Sequence, residues 1–299
     1  MSLEARLITV RGNSLIENAT NQAMIQSVSS GSSPALIFYE MTPSVSIGRS
    51  QHSALDVDVE ACRRNNVALA RRNSGGQAVY IDNNYIVLSL VAQPNLFGSD
   101  LTQLRKKFSL CMAETLQMLE IPATFYEPDN VVVNENGIFR TMGNSGQIIT
   151  SKAILVEGSL RYSHEGFDKM IDTLKTNGLP LHNYKKEIKE VLSAVRDYRE
   201  IDKEEIKKRL VTNIARTYGL TFFNGTLSLK EEELIKTFTH PATVKQYLRD
   251  NESYKSRGVC YLFLNGQNLV DGMRDILPYN PPSTVADSTS NVMEVKNAC

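Results

Sequence analysis

The chain has few residues of the kinds that build metal sites and disulfide frameworks. Its four cysteines and four histidines are scattered along 299 residues, with no CxxC, HxxxH or mixed His/Cys cluster. This scatter excludes the usual zinc patterns and a disulfide-stapled scaffold, and it is typical of a reducing compartment. We therefore expect no metal cage built by the chain itself.

An excess of charge of one sign and long hydrophobic runs are also lacking. The 33 Lys and Arg residues balance the 33 Asp and Glu residues, so no overall field favours nucleic acid or an anionic membrane. No apolar run has the length of a membrane span, and the first ten residues have no signal-peptide core. Glu4 and the strand-like alternation after it also make a poor mitochondrial presequence. We expect a cytoplasmic protein that binds neither nucleic acid nor membranes.

Apolar residues make up 41% of the chain, enough for a sizeable core in one large or two unequal domains. Alternating and 3.6-residue apolar patterns predict an α+β fold, a mostly antiparallel sheet with packed helices. Strands are predicted at 5–10, 35–40, 44–48, 67–70, 77–81, 85–92, 123–126, 130–134, 137–142, 152–160, 220–223 and 259–264. Helices are predicted to begin at Ser14, Asp100 and Ser228, to span 57–65, 166–175, 184–193 and 203–217, and to end near Leu248.

Local signals fix some details of these elements. Ser14 with Glu17, and Ser228 with Glu231, match the capping-box pattern at a helix start. The residues 82–84, Asp-Asn-Asn, join two predicted strands, which we expect to form an antiparallel hairpin. Cys62 and Cys111 lie on the apolar faces of predicted helices. We therefore expect buried thiols rather than nucleophiles at these positions.

The most informative segment is 71–76, Arg-Arg-Asn-Ser-Gly-Gly. Glycine lets backbone N–H groups approach an anion closely, and arginine offers planar forks suited to carboxylate or phosphate. The segment matches neither the Walker spacing nor GxGxxG. The local pattern alone therefore leaves two interpretations, a solvated turn or a loop that binds a small anion.

Several segments taken together favour the anion loop. They are SIGR (46–49), ARRNSGGQAVYID (70–82), PDNVVV (128–133), RTMGNSG (140–146) and EGSL (157–160). In this order and spacing they resemble the lipoate–protein ligase and lipoyl/octanoyltransferase family, over roughly residues 5–225. The resemblance implies an α+β fold of the class II aminoacyl-tRNA synthetase/biotin ligase type. It also implies a catalytic domain over 1–245 and a short extension over 246–280, while the polar composition of 281–299 predicts a disordered tail.

The function that the resemblance implies is attachment of lipoate or octanoate to a lysine of a lipoyl carrier domain through an acyl-adenylate. ATP and Mg²⁺ would be required if adenylation is retained. The expected partners are carrier domains of 2-oxoacid dehydrogenase subunits or of the glycine cleavage H protein type. Lipoate and octanoate remain equal alternatives, because both present a carboxylate and a similar apolar length.

The resemblance assigns site roles residue by residue. Arg140 stands at the family's catalytic lysine, and Lys152 is the next lysine downstream; either is a candidate catalytic cation, while Arg140 also has an interpretation as a surface charge. The substrate- and nucleotide-binding candidates are Arg71, Arg72, Ser74, Gly75, Gly76, Gln77, Ala78, Val79, Tyr80, Asp129, Asn130, Gly143, Gly158 and Ser159. No metal-ligating residue is assigned.

Several of these positions depart from the family pattern. Gln77 replaces the third glycine of the loop, the Asn-Asp pair is reversed to Asp129-Asn130, and Ile81 and Glu157 stand where the family has histidine-containing motifs. Arginine is bulkier than lysine and permanently charged, so Arg140 changes the chemistry available at that position. An alternative function is therefore a catalytically weakened or non-catalytic member that binds the acyl or adenylate ligand.

Overall fold

A computed structural model describes residues 2–49, 51, 56–175 and 188–240, together with the backbone of 263–264 and 267–268. The strands are β1 (Leu3–Gly12), β2 (Ala35–Met41), β3 (Ser44–Ile47), β4 (Ala68–Arg71), β5 (Val79–Ile81), β6 (Tyr85–Ala92), β7 (Ala123–Tyr126), β8 (Asn130–Glu135), β9 (Ile138–Ile149), β10 (Ile154–Arg161), β11 (Leu220–Asn224), β12 (Phe263–Leu264) and β13 (Gln267–Asn268). The helices are α1 (Ser14–Ser29), α2 (Val59–Arg64), α3 (Leu104–Gln117), α4 (Phe167–Thr173), α5 (Lys203–Tyr218) and α6 (Leu229–Thr239).

Eight strands form one large sheet in the order β11-β1-β2-β6-β10-β9-β8-β7. β1 runs parallel to β11 and β2, and the other neighbours are antiparallel. A second sheet, in the order β4-β3-β5, packs its own small core. The predicted α+β fold with a mostly antiparallel sheet is confirmed.

The large sheet is covered on both sides. On one side, here called the α3 face, Leu88 and Val156 pack with Phe108 and Met112 of α3. On the other side, the α1 face, Val87 and Leu155 belong to a cluster completed by the apolar stripe of α1. Because side chains of a strand alternate between faces, neighbouring residues of β6 and β10 serve opposite layers. This alternation decides which residues can reach a ligand.

Three local expectations are wrong. The strands β5 and β6 do not form a hairpin, since β5 pairs with β3 and β6 lies between β2 and β10. The cap of α1 is Asn13, whose side chain accepts hydrogen bonds from the N–H groups of Leu15 and Ile16, while the Ser14 hydroxyl bonds Ser44. The strand predicted at 137–142 is β9, which does not end at 142 but continues to Ile149.

Other expectations are confirmed. Ser228 and Glu231 form the capping box of α6, which ends before Pro241. Asp100 caps a 3-10 turn that leads into α3, and Cys62 and Cys111 are buried. Of the helix predicted at 184–193, residues 188–191 are helical. The helix near Leu248, most of the strand at 259–264 and the tail at 281–299 lie outside the described residues. Among the helices that are described, none has the length and apolar character needed to cross a bilayer.

Candidate active site

A cleft of about 890 Å³ lies between the α1 face of the large sheet and the segment 75–79. Its lining includes Pro128, Asp129 and Asn130, and also Glu17 of α1. Ala78, Val79 and Val87 supply apolar walls. The cleft therefore combines apolar walls, which suit an acyl chain, with polar side chains. Ten of the predicted binding residues line it: Arg72, Gly75, Gly76, Gln77, Ala78, Val79, Asp129, Asn130, Gly158 and Ser159.

Strand register places polar side chains on the floor of the cleft. Glu157 of β10 is paired with Gly146 of β9, and Ser159 is paired with Asn144. Residues directly opposite each other share a face of the sheet, and this is the α1 face because Leu155, two residues before Glu157, belongs to that core. The Ser159 hydroxyl donates to Asn144 Oδ1 at 3.1 Å. Polar residues thus interrupt the α1 face along the cleft floor that these strands form.

The loop over the cleft is folded around Arg72. Its guanidinium donates to the carbonyl oxygens of Gly75 (2.7 Å) and Gln77 (2.8 Å), and to that of Ser46 (2.8 Å) on β3. Burial lowers the pKa of Arg72, and the nearby carboxyls oppose that effect. A guanidinium stays charged at neutral pH even so. The loop therefore holds a permanent positive charge within the cleft.

Gly48 and Gly76 allow the loop to pack against β3. A Cβ on Gly48 would lie 1.8 Å from the Gly76 carbonyl oxygen, which no side chain could tolerate. Gly76 itself has φ +90°, a backbone conformation that favours glycine. The missing side chain of Gly48, the glycine of the SIGR segment, therefore lets the Ser-Gly-Gly turn pack against it. The sequence resemblance did not reveal this packing role.

Arg71 has a different position from its neighbour. It is buried and donates to the carbonyl oxygens of Gly48 (2.9 Å) and Gln51 (2.6 Å), outside the cleft lining. Ser74 is also buried, but its hydroxyl donates to Glu157 Oε1 at 2.5 Å and so fixes a floor residue. Arg71 was predicted to bind the ligand; the structure places it as a brace for the loop.

Two acids, Glu17 and Glu157, line the cleft beside the loop. Glu157 accepts from Ser74 and, at 3.2 Å, from Asn21 Nδ2, and Asn21 in turn accepts from the Tyr39 hydroxyl at 2.7 Å. Glu17 is 7% exposed. Burial and the charge of Glu157 raise its pKa to about 8, with Arg72 acting in the opposite direction. Sequence reasoning missed Glu17 because its position in the first turn matched a capping box.

The cleft lining also contains an ion pair. Arg105 of α3 contacts the Asp129 carboxylate, and the Ser109 hydroxyl donates to the Asp129 carbonyl oxygen at 2.7 Å. Burial raises the pKa of Asp129, and Arg105 opposes that rise. Arg105 lines the cleft, although the sequence patterns gave no sign of it. Arg105 lies on α3 next to buried apolar residues, and an arginine in such a position is not recognisable from the sequence as a site residue.

Arg140 lies outside the cleft, contrary to expectation. The pairing of β8 with β9 shifts between Val131 and Val132, so that Gly143 pairs with Val131 and Thr141 with Val132. The extra residue, Met142, is a β-bulge, and such an insertion turns the following side chains to the opposite face. Arg140 consequently pairs with Val133 on the α3 face, where its guanidinium lies 3.2 Å from Glu135.

Three further candidates also lie apart from the ligand space. Lys152 is exposed in the turn between β9 and β10. Tyr80 points into the small core under the second sheet, with its hydroxyl donating to Asp82 at 3.1 Å. Gly143 is a packing position, since a Cβ there would lie 2.3 Å from the Ser159 carbonyl oxygen. Gly158 borders the cleft, but a Cβ on it would meet Met112 at 2.8 Å on the α3 side.

Comparisons with known proteins converge on one family. The model of the lipoyl protein ligase A/B catalytic domain matches residues 15–215, which include the whole cleft lining. A lipoate-protein ligase A subunit 1 of Thermoplasma acidophilum is 25% identical over 245 residues, covering 78% of this chain and 92% of that protein. An octanoyltransferase of Carboxydothermus hydrogenoformans is 25% identical over 236 residues, covering 72% and 87%.

A solved structure agrees with these relatives. It is that of a bi-partite lipoate protein ligase from Thermoplasma acidophilum and its E2 lipoyl domain. The match has a TM-score of 0.71 at 25% identity, and it covers 78% of this chain and 91% of that chain.

Proposed function

Because this chain belongs to the lipoyl protein ligase A/B catalytic domain family, we propose that it attaches a medium-chain acyl group of the lipoate or octanoate type to a lysine of a lipoyl carrier domain through an acyl-adenylate. The observation that carries the proposal is the cleft, in which a Ser-Gly-Gly loop and the half-buried guanidinium of Arg72 adjoin apolar walls. Lipoate ligase and octanoyltransferase relatives support the acyl class. The scattered cysteines support a cytoplasmic setting.

The reaction would have two steps. In the first, a carboxylate oxygen of the acid attacks the α-phosphorus of ATP, and pyrophosphate leaves. In the second, the neutral ε-amino group of the carrier lysine attacks the acyl carbonyl, an amide forms, AMP leaves with the electron pair of the broken C–O bond, and the amine loses its proton to solvent. Both steps develop negative charge on oxygen atoms at the loop end of the channel.

Arg72 and the loop backbone are the groups suited to that charge. Preorganised positive charge and N–H donors typically contribute about 2.7–4 kcal/mol per donor to the transition state. Arg72 donates to loop carbonyl oxygens at 2.7 and 2.8 Å, so it reaches a phosphate only if the loop rearranges. Loops of this kind commonly move on binding. The proposal therefore includes a rearrangement in which Arg72 gives up its hydrogen bonds to the Gly75 and Gln77 carbonyl oxygens and donates to ligand oxygens instead.

Mg²⁺ fits the described residues poorly. A Mg²⁺ carried by a nucleotide takes one or two protein carboxylates. In the cleft the Asp129 carboxylate is already paired with Arg105. No group of three His, Cys, Asp or Glu residues in the described ranges is placed to hold a metal ion. The participation of Mg²⁺ stays a prediction of the family resemblance.

A second candidate function rests on the position of Arg140. A protein whose cation at the family's lysine position lies on the wrong sheet face would bind acyl-adenylate without transferring it. The bulge at Met142 and the Arg140–Glu135 ion pair favour this alternative. The two functions differ in turnover and share the ligand.

One incubation separates the candidates. The full chain is mixed with ATP, lipoate or octanoate and a lipoyl carrier domain, and the carrier mass and AMP release are measured. Mass gain of the carrier by one acyl group supports attachment. Tight binding of acyl-AMP without mass gain supports the non-catalytic alternative. Absence of both results contradicts the proposal.

A further inference from the structure

Arg105 is a cation of the cleft whose hydrogen-bond donors are mostly unused. It lines the cleft, and its side chain is 39% exposed. Within the described part of the chain, its guanidinium donates only to the Asp129 carboxylate, through Nη1. A guanidinium carries five N–H donors, so Nε and Nη2 keep donors for a ligand. The ion pair therefore holds the guanidinium in place and leaves most of its donors available.

Arg72 differs from Arg105 in this respect. Its Nη1 donates to the Ser46 carbonyl oxygen, and its Nε and Nη2 donate to the carbonyl oxygens of Gly75 and Gln77. All three nitrogens have protein partners, so an anion reaches Arg72 only after the loop rearranges. Arg105 can receive an anion without such a rearrangement.

Strand register separates an apolar part of the cleft from a polar part. Val87 of β6 is paired with Ser159 of β10. Ser159 is paired with Asn144 of β9, and Asn144 is paired with Asn130 of β8. These four residues all line the cleft. Neighbouring strands lie about 4.8 Å apart, so Val87 and Asn130, three strands apart, are separated by about 14 Å.

Arg105 belongs to the polar part. Its partner Asp129 directly precedes Asn130 in the chain, and the Ser145 hydroxyl of β9 donates to the Arg105 carbonyl oxygen at 3.1 Å. A hydrocarbon chain placed among these charges and amides would remove them from water and give no hydrogen bond in return. Phosphate oxygens accept charge-assisted hydrogen bonds from a guanidinium. The surroundings of Arg105 therefore suit a phosphate, whereas the wall at Val87 suits an acyl chain.

We propose that Arg105 binds phosphate oxygens of ATP and of the acyl-adenylate, as a second cation beside Arg72 in a cleft that Arg140 does not reach. Asp129 orients the guanidinium in this arrangement. A cation held in place before the reaction stabilises the negative charge that develops on the phosphate oxygens as pyrophosphate leaves. The inference rests on the proposed function, because it takes a nucleotide as the second substrate.

The test compares Arg105→Gln with the matched control Lys106→Gln. Lys106 is the next residue of α3, forms an ion pair with Glu127 and lies outside the cleft lining. Binding of ATP and of octanoate to the full chain is measured by calorimetry, with Mg²⁺ at one fixed concentration. Arg105→Gln should weaken ATP binding at least about tenfold, because hydrogen bonds to charged groups are the stronger kind. Octanoate binding should be unchanged, and Lys106→Gln should leave both affinities unchanged.

The two ligands show which anionic group Arg105 meets. A loss confined to ATP supports the phosphate assignment, and partial recovery in Arg105→Lys would support it further, since lysine keeps the charge without the planar fork. A loss confined to octanoate would place the carboxylate there and overturn the assignment. Equal losses for both ligands would show a general effect on the cleft and would also overturn it.

A measurement on the wild-type protein needs no variant to fold. Phenylglyoxal modifies accessible guanidinium groups, and mass spectrometry of the digested chain reports each arginine separately. ATP should suppress modification of Arg105, and octanoate should not. Arg11 of β1, with a side chain 82% exposed and outside the cleft lining, should react equally in all samples. Unchanged modification of Arg105 under saturating ATP would overturn the inference.

The outcomes separate this inference from the proposed function. If wild-type protein acylates the carrier and Arg105→Gln binds ATP as well as wild type does, only the role of Arg105 is rejected. If wild-type protein binds no ATP, adenylation and the role of Arg105 are rejected together.

Discussion

Arg140 pairs with Val133 across β9 and β8, and both side chains lie on the α3 face of the sheet, opposite the cleft. The bulge at Met142 produces this arrangement, since without it Arg140 would fall on the same face as Asn144. A guanidinium paired with Glu135 on the far face cannot polarise an acyl carbonyl in the cleft.

The first prediction concerns that position. Arg140→Ala and Arg140→Lys should change acyl-adenylate affinity by less than about twofold, because an exposed ion pair contributes only about 0–1 kcal/mol. Arg72→Ala, the comparison variant, should lose at least about a hundredfold. Titration calorimetry measures both. A clear gain in affinity or turnover for Arg140→Lys would show that this side chain enters the cleft.

The second prediction concerns the contact between Gly48 and the loop. Gly48→Ala places a Cβ 1.8 Å from the Gly76 carbonyl oxygen, so the loop must move and ligand affinity should fall at least about tenfold. Gly75→Ala is the control, because a Cβ on Gly75 meets nothing within 4 Å. Ligand binding and hydrogen exchange of the loop would measure the effect. Equal behaviour of the two variants would refute the packing argument.

The third prediction concerns the link between β1 and α6. Glu231 accepts two hydrogen bonds from Arg6, at 2.8 and 2.9 Å, and others from Ser27 and the Ser228 N–H. Burial alone would raise its pKa, but these hydrogen bonds outweigh it and lower the pKa to about 2. Such a group stabilises the fold above its ordinary pKa of 4.5, and that contribution is lost as pH falls from 4.5 towards 2.

Glu231→Gln should therefore lower the free energy of unfolding by about 3 kcal/mol at neutral pH, since it leaves Arg6 unpaired. The difference from wild type should shrink below about pH 4. Glu200→Gln, which removes an exposed partner of Arg196, should change stability by less than about 0.5 kcal/mol. Urea unfolding at several pH values measures both variants. A pH-independent deficit for Glu231→Gln would contradict the ionic account.

The fourth prediction concerns Glu17, which faces Glu157, Arg72 and Tyr39. Its folded-state pKa of about 8 exceeds the ordinary 4.5, so the folded protein holds a proton that the unfolded chain releases. Stability is therefore lost as pH rises from 4.5 to 8. Glu17→Gln removes this loss, and its stability relative to wild type should increase with pH over that window. A constant difference across the window, from urea unfolding, would count against the raised pKa.

Much of the fold follows from local sequence signals. The helix start at Asp100, the apolar helix face of Cys111 and the capping box of α6 were correctly predicted, because amphipathic periodicity and cap chemistry are local. The hairpin at 82–84 was wrong for a tertiary reason. Asp82 does form a local turn, accepting from the Asn84 N–H at 2.8 Å, but β5 and β6 then join different sheets.

Some residues of the candidate site were likewise predictable from local sequence, and others were not. The loop over Arg72 was predictable from its glycines and arginines, and most of its residues do line the cleft. Glu17 and Arg105 were not predictable, because only tertiary packing brings their two helices to the same cleft. Arg140 was misplaced because a one-residue bulge reverses the side-chain face and leaves no mark in an apolar alternation.

The measurement that tests the account most directly is equilibrium binding of a non-hydrolysable octanoyl-adenylate analogue, the acyl-sulfamoyl adenosine, to the wild type, Arg72→Ala and Arg140→Ala. The account predicts tight binding to the wild type and to Arg140→Ala, with a loss of at least about a hundredfold for Arg72→Ala. No binding to the wild type, or a loss confined to Arg140→Ala, would contradict it.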